Sequence, residues 1–286
     1  MTLDRRRRWL ADVALAGITF IWGATFVVVK EALESSSTLL FLALRFSLAA
    51  VVLALLFRRR LGCPSRATVG AGMAVGAALF LGYLFQTLGL RLTTPAKSAF
   101  ITGLSVVLVP VLGGVVYRSR PSWNAWVGVA CGMLGLYWLV SPSGAWRMSG
   151  GDWLTLLCAV SFSVHILLLG RFSRRVGVAG LSVIQVGVAA LLSLGSFWWA
   201  EQPFVRWTAP LLVAVVACGL LATALAFSVQ TWAQQFTSPT HTALIFTLEP
   251  VFAWATSYLV MGESLEGKAL WGAGLILAGI VASEWK

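Results

Sequence analysis

The chain repeats itself. Residues Gln86 to Leu136 align with Gln230 to Ile280 at a constant offset of 144, without a gap, and twelve of the fifty-one positions are identical. The identities are Gln86, Thr87, Thr93, Pro95, Ala99, Ile101, Leu104, Val107, Val116, Ala125, Gly128 and Gly135. An apolar bias yields chance matches among Val, Leu and Ala, but it does not align a Gln-Thr pair together with a Thr-x-Pro. A duplication within a very hydrophobic chain is the organisation of membrane transporters, whose related halves meet around a site near the bilayer midplane.

Composition leads to the same class by a separate route. Hydrophobic residues make up 59% of the 286 and charged residues 11%, with a mean hydropathy of +0.87. A soluble chain so composed would lack the polar surface to cover itself. Ten apolar runs stand out, at about 11–31, 38–57, 67–91, 95–116, 122–141, 152–170, 178–199, 208–235, 238–260 and 265–284. Each is near the roughly 20 residues that an α-helix needs to cross the hydrocarbon core, and too long for a barrel strand. The expected fold is an all-α polytopic membrane protein with ten transmembrane helices.

Basic residues orient these spans. With a cytoplasmic N-terminus, that side receives Arg5 to Arg8, Arg58 to Arg60, Arg66, Arg118, Arg120, Arg171, Arg174, Arg175 and Lys286. The other side receives only Lys30, Arg91, Lys97, Arg147, Arg206 and Lys268, and Arg45 lies inside a span. The positive-inside rule therefore predicts both termini in the cytoplasm. The net charge of +11 is a topology signal, and without a basic soluble domain it argues against nucleic acid as a partner. Five spans per half is an odd number, so the second half, 147–286, enters the membrane from the opposite side to the first, 1–146. A 5+5 inverted repeat is expected. Its first two spans correspond at an offset of 140, which aligns Asp12 with Asp152, Trp22 with Phe162 and Arg45 with Gln185. The extra residues fall in Ala200 to Thr208, a predicted loop.

The basic N-terminus before an apolar run imitates a secretory signal, but nine further spans follow it. Cys63, Cys131, Cys158 and Cys218 stand singly, without CxxC or metal-ligand spacing, and there are two widely separated histidines. No metal or other cofactor is expected. GxSxG, HExxH and P-loop patterns are absent, so an enzyme is not expected either.

Phe20-Ile-Trp-Gly-Ala-Thr-Phe26 with Lys30, Leu44-Arg-Phe46, Ala243-Leu-Ile-Phe-Thr-Leu-Glu-Pro-Val251, Met261-Gly-Glu263, Gly272-Ala-Gly274 and Ala278-Gly279 follow one another in order. In these segments the chain resembles bacterial EamA-type exporters of the drug/metabolite transporter superfamily, over nearly its whole length. The resemblance implies an inner-membrane exporter of amino acids or similar small metabolites, linked to protons or another gradient. It also implies a central cavity lined by spans 1, 3, 4, 6, 8 and 9, with spans 5 and 10 at the periphery. One departure is Ser105-Val106 where the second repeat has Glu249-Pro250.

Polar groups deep in apolar spans mark function, because an unpaired charge there costs at least about 2.5 kcal/mol. Glu249 is a candidate proton-coupling carboxyl, or a structural one beside the helix-kinking Pro250. Arg45 keeps its charge and is expected to pair with an acid or to reach outward. Gln86 and Gln230, at equivalent places in spans 3 and 8, suit either a zwitterionic substrate or an interhelical hydrogen bond. Three residues earlier, on the same helical face, stand Tyr83 and Phe227. Trp22, Phe162 and His165 lie on spans 1 and 6, and His165 is a second candidate proton carrier.

Lys97 and His241 follow Pro95 and Pro239 at the starts of spans 4 and 9. Thr94 and Ser238 should cap those helix ends, where a substrate carboxylate would be favoured. Phe100 and Phe246, aromatic residues of the same two spans, complete the substrate-binding set. The Gly70, Gly128 and Gly272 clusters read as close helix contacts. The expected partners are a small-molecule substrate, membrane lipids and protons, with the chain a monomer or homodimer. The alternatives are an exporter of drugs or quaternary amines using the same aromatic cavity, and an intramembrane lipid-modifying enzyme.

Overall fold

The computed structural model describes residues 3–117, 121–140, 148–261 and 267–284. Apart from one isolated bridge between Ser36 and Val205, these residues form helices and the turns that join them. In chain order the helices are α1 (Leu3–Ser35), α2 (Thr38–Phe57), α3 (Arg66–Leu92), α4 (Pro95–Gly103), α5 (Ser105–Tyr117), α6 (Trp123–Val140) and α7 (Gly150–Phe172). There follow α8 (Val178–Ala200), α9 (Ala209–Gly219), a π-helical turn (Leu220–Leu225), α10 (Ala226–Ala233), α11 (Pro239–Phe246), α12 (Glu249–Met261) and α13 (Gly267–Glu284). The short helices run on from one another, so the described helices make ten columns at the places of the ten predicted spans. Among the described residues seven columns are long and apolar enough to cross a membrane. The expected boundary at 146/147 and the start of the tenth span at 265 lie outside the described residues.

Three spans differ from the continuous helices expected. The fourth breaks at Leu104 and the ninth at Thr247 and Leu248, where backbone amides turn to carbonyls three residues back: Leu104 to Ile101 at 3.1 Å, and Leu248 to Ile245 at 3.0 Å. Pro250 has no N–H for the Phe246 carbonyl, which accounts for part of the second break. Leu104 and Leu248 are repeat mates, yet Val106 stands where Pro250 does. The proline therefore reinforces a break that the first repeat makes without one. The eighth span carries the π turn, in a stretch with no proline.

Helix starts follow the capping chemistry of the sequence. Thr94 Oγ1 accepts from Lys97 N, Ser238 Oγ from His241 N, and Ser149 with Asp152 forms a capping box. The loop after α8 is also tied down, since the Glu201 carboxylate accepts from the amides of Leu39 at 3.1 Å and Leu40 at 2.9 Å at the start of α2.

Columns pack in a pattern that exchanging the two halves preserves. Helix α6 lies on α13 and α2 on α8, while α3 meets α7 just as α9 and α10 meet α1. A Cβ added at Gly135 would fall 2.6 Å from the Gly272 carbonyl, so the α6 and α13 backbones touch only because no side chain intervenes. Three buried apolar clusters result among the described residues: one around α2, α3, α8 and α9, a second joining α1, α5, α7 and α10 to α11, and a small third of Ala71, Val75, Leu169 and Leu181. Large apolar side chains such as Leu56, Val115, Trp198 and Trp199 face outward, as a bilayer-facing surface requires.

Candidate functional site

Between the halves lies a cavity of about 800 Å³, counting its open mouth. Trp22, Arg45, Tyr83, Gln86, Phe162, His165, Gln230, Phe246 and Glu249 all line it, nine of the eleven residues singled out from the sequence. Its wall is an aromatic belt. Tyr83 and its repeat mate Phe227 meet edge-on, with ring centroids 6.0 Å apart. Each holds the aromatic residue of the other half's first helix: Phe162 lies 5.3 Å from Tyr83, and Trp22 lies 5.5 Å from Phe227. Phe246 closes on Trp22 at 5.1 Å. Three of these four pairs are edge-to-face and Trp22–Phe227 is tilted; an edge-to-face pair adds about 1 kcal/mol beyond its burial.

Arg45 neither pairs with an acid among the described residues nor reaches outward. It is buried, with Nε donating to Thr223 Oγ1 at 2.7 Å and Nη2 donating to Tyr83 Oη at 3.1 Å and to the Ala222 carbonyl at 3.3 Å. Its guanidinium also lies 4.3 Å from the centroid of the Tyr83 ring, a cation–π contact. Ala222 and Thr223 belong to the π turn, whose displaced carbonyls are open to side chains; the Ala222 carbonyl accepts from Trp22 Nε1 as well, at 2.9 Å. The π turn thus fixes both the cavity's cation and its indole. Sequence reasoning missed it, because no Pro or Gly inside Leu220–Leu225 marks it.

The broken columns set two helix starts at the cavity. Ser105 begins α5, Glu249 begins α12, and both line the space. Backbone contact with α1 secures the second, since a Cβ added at Gly23 would fall 2.6 Å from the Glu249 carbonyl.

Lys97 and Phe100 lie outside the cavity. Lys97 Nζ is 2.6 Å from Asp152 Oδ2, where the Asp152 carboxylate draws it to the start of α7 rather than toward a ligand. Phe100 is buried in the apolar core. Both stand on α4, which packs against α7.

A profile of the EamA-like transporter family matches residues 9–141 and again residues 149–284. The chain belongs to the EamA-like transporter family. It is a multi-pass, all-helical membrane transporter built from two copies of the family's unit, and not an enzyme. A transporter of Archaeoglobus fulgidus is 34% identical over 96% of this chain and 86% of its own length. A "probable amino-acid metabolite efflux pump" of Salmonella typhimurium is 26% identical over 92% of this chain and 91% of its own. The S-adenosylmethionine/S-adenosylhomocysteine transporter of Chlamydia muridarum is 22% identical over 91% of this chain and 87% of its own. A crystal structure shares the fold over 96% of both chains, with a TM-score of 0.78 at 19% identity.

Proposed function

We propose that this transporter exports amino acids or similar small metabolites across a bacterial inner membrane by alternating access between two inverted halves, 1–146 and 147–286. The observation that carries the reading is the cavity's chemistry: one guanidinium, one carboxylate and an aromatic belt open to a single space. A zwitterion with an apolar side chain calls for that set. The efflux pump of Salmonella typhimurium supports the amino-acid class. With both termini cytoplasmic, the lining residues Val29 and Leu90 point the cavity toward the periplasm. Ties at the opposite end, from Gln235 to the Ser173 carbonyl and from Arg174 to the Thr237 carbonyl, support an outward-facing reading. Glu249 is the candidate for proton coupling.

Counterflow in proteoliposomes, run against a panel of amino acids and organic cations, tests the substrate class. Uptake of amino acids supports the reading, and exchange confined to permanent cations replaces it with the organic-cation exporter. That second reading draws on Trp22 and Phe246, aromatic faces near Glu249 on the same cavity. Orientation has its own test. Reporters fused after Arg60, Arg120 and Arg175 should be cytoplasmic and those at Ser36, Arg147 and Gln202 periplasmic; Arg120 and Arg147 on one side would end the inverted-repeat reading.

A further inference from the structure

Two hydrogen-bond chains run behind the cavity wall, and each starts at a backbone carbonyl, which can only accept. In the first, Thr231 Oγ1 donates to the Phe227 carbonyl at 2.6 Å, which leaves its lone pairs for the amide beside it. Gln185 Nε2 donates to that oxygen at 2.9 Å. The amide is thereby oriented, and its Oε1 faces His165 Nε2 at 3.0 Å. Because an amide oxygen cannot donate, Nε2 carries the hydrogen, and Nδ1 of the neutral ring carries the lone pair.

In the second chain, Gln234 Nε2 donates to the Ile166 carbonyl at 3.0 Å, turning its Oε1 toward Gln230. Gln230 Nε2 donates to it at 3.1 Å. Gln230 Oε1 is then left buried without a hydrogen-bond partner among the described residues, on a side chain 1% exposed. Reversing Gln234 would set its Oε1 against the Ile166 carbonyl, and reversing Gln185 would draw the Thr231 hydroxyl hydrogen away from the Phe227 carbonyl, so both chains favour one polarity. Gln185, Thr231 and Gln234 stand behind the wall; His165, equally buried, and Gln230 line the cavity.

We propose that Gln230 Oε1 and His165 Nδ1 form a subsite that reads hydrogen-bond donors only and takes the N–H-bearing ammonium of a primary or secondary amine, rejecting quaternary ammonium. The inference rests on the amino-acid reading only for the rest of the ligand. The first repeat is its internal control: Leu90 stands where Gln234 does, so nothing orients Gln86 in this way.

The test uses the full chain in nanodiscs with four probes: phenylalanine, phenethylamine, its N,N,N-trimethyl derivative and 3-phenylpropionate. Wild type should bind phenethylamine about tenfold more tightly than the trimethyl derivative or 3-phenylpropionate, the worth of a charge-assisted hydrogen bond. Gln234→Leu, which touches no ligand, should shrink that ratio to about threefold or less, since an unlocked amide can present either end. Gln230→Leu keeps the test alive if Gln234→Leu does not fold.

Nitrogen-15 NMR of histidine-labelled His241→Gln protein, which retains His165 alone, should report the Nε2–H tautomer. An Nδ1–H tautomer, or full selectivity in both Gln234→Leu and Gln230→Leu, overturns the subsite. Binding of phenethylamine without phenylalanine would sink the amino-acid reading and keep the subsite. Equal binding of phenylalanine and 3-phenylpropionate would do the reverse, and no amine binding at all would sink both.

Discussion

The first repeat ties α4 to α7 with Lys97 and Asp152, and the second ties α11 to α1 with His241 and Asp12. All four residues are repeat mates, yet the two ties differ in strength. Asp152 is fully buried and over-determined: Lys97 Nζ lies at 2.6 Å, Thr93 Oγ1 donates at 2.7 Å, and the Ser149 amide closes the capping box at 2.7 Å. Asp12 is partly exposed and lies 3.4 Å from His241 Nε2, without a well-aligned hydrogen bond on its Oδ1 among the described residues. The halves also differ within the membrane, where Arg45 faces Gln185 in the repeat and Ser105 faces Glu249. Duplication preserved the scaffold and its joints, while charge went to one copy at a time.

Four tests put the comparison at risk. The largest effect is expected from Glu249→Gln, which should abolish accumulation driven by a pH gradient in proteoliposomes while sparing gradient-free counterflow. Adding Ser105→Glu should not restore it, because that helix start belongs to the other half; restoration would make the repeats interchangeable. Next, Arg45→Met should weaken substrate binding by about thirtyfold, the lower end of what losing one buried charged partner costs. Binding titrations would measure it. Exchanging Arg45 and Gln185 should fail to recover affinity, since Gln185 is committed to His165 and Thr231.

The ties themselves come third. Asp152→Asn should cost about 3 kcal/mol in a denaturant titration, as removal of a buried partner does. Asp12→Asn should cost about 1 kcal/mol or less, in the range of exposed pairs, and equal losses would refute the asymmetry. The smallest expected effect is that of His241→Lys, which makes the second tie a permanent pair like the first. It should slow net transport modestly without changing substrate affinity, and a faster carrier would show that this tie does not restrain opening.

Much of the architecture was legible from residue order. Apolar runs of about 20 residues set ten columns because unpaired backbone is too costly in lipid to allow much else. The aligned Gln-Thr and Thr-x-Pro exposed the duplication, and through it the pairing of Tyr83 with Phe227 and of Trp22 with Phe162. Local chemistry was enough for the caps at Thr94 and Ser238.

Other features depended on distance in three dimensions. Lys97 read as a ligand for carboxylates at a helix start, and only the approach of α7 gave it Asp152. Arg45 read as one half of an ion pair or as a side chain reaching outward, and it instead found a π turn that Leu220–Leu225 does not announce, because a π turn is decided by what packs against a helix. The break at Leu104 has no proline to mark it. By itself the sequence determined which segments form the ten helical columns and which positions correspond between halves, since both follow from hydrophobicity and spacing along one chain. The tertiary structure alone decided which polar groups are consumed by a neighbour and which face the cavity, because a hydrogen bond depends on ångström distances between columns that sequence order does not contain.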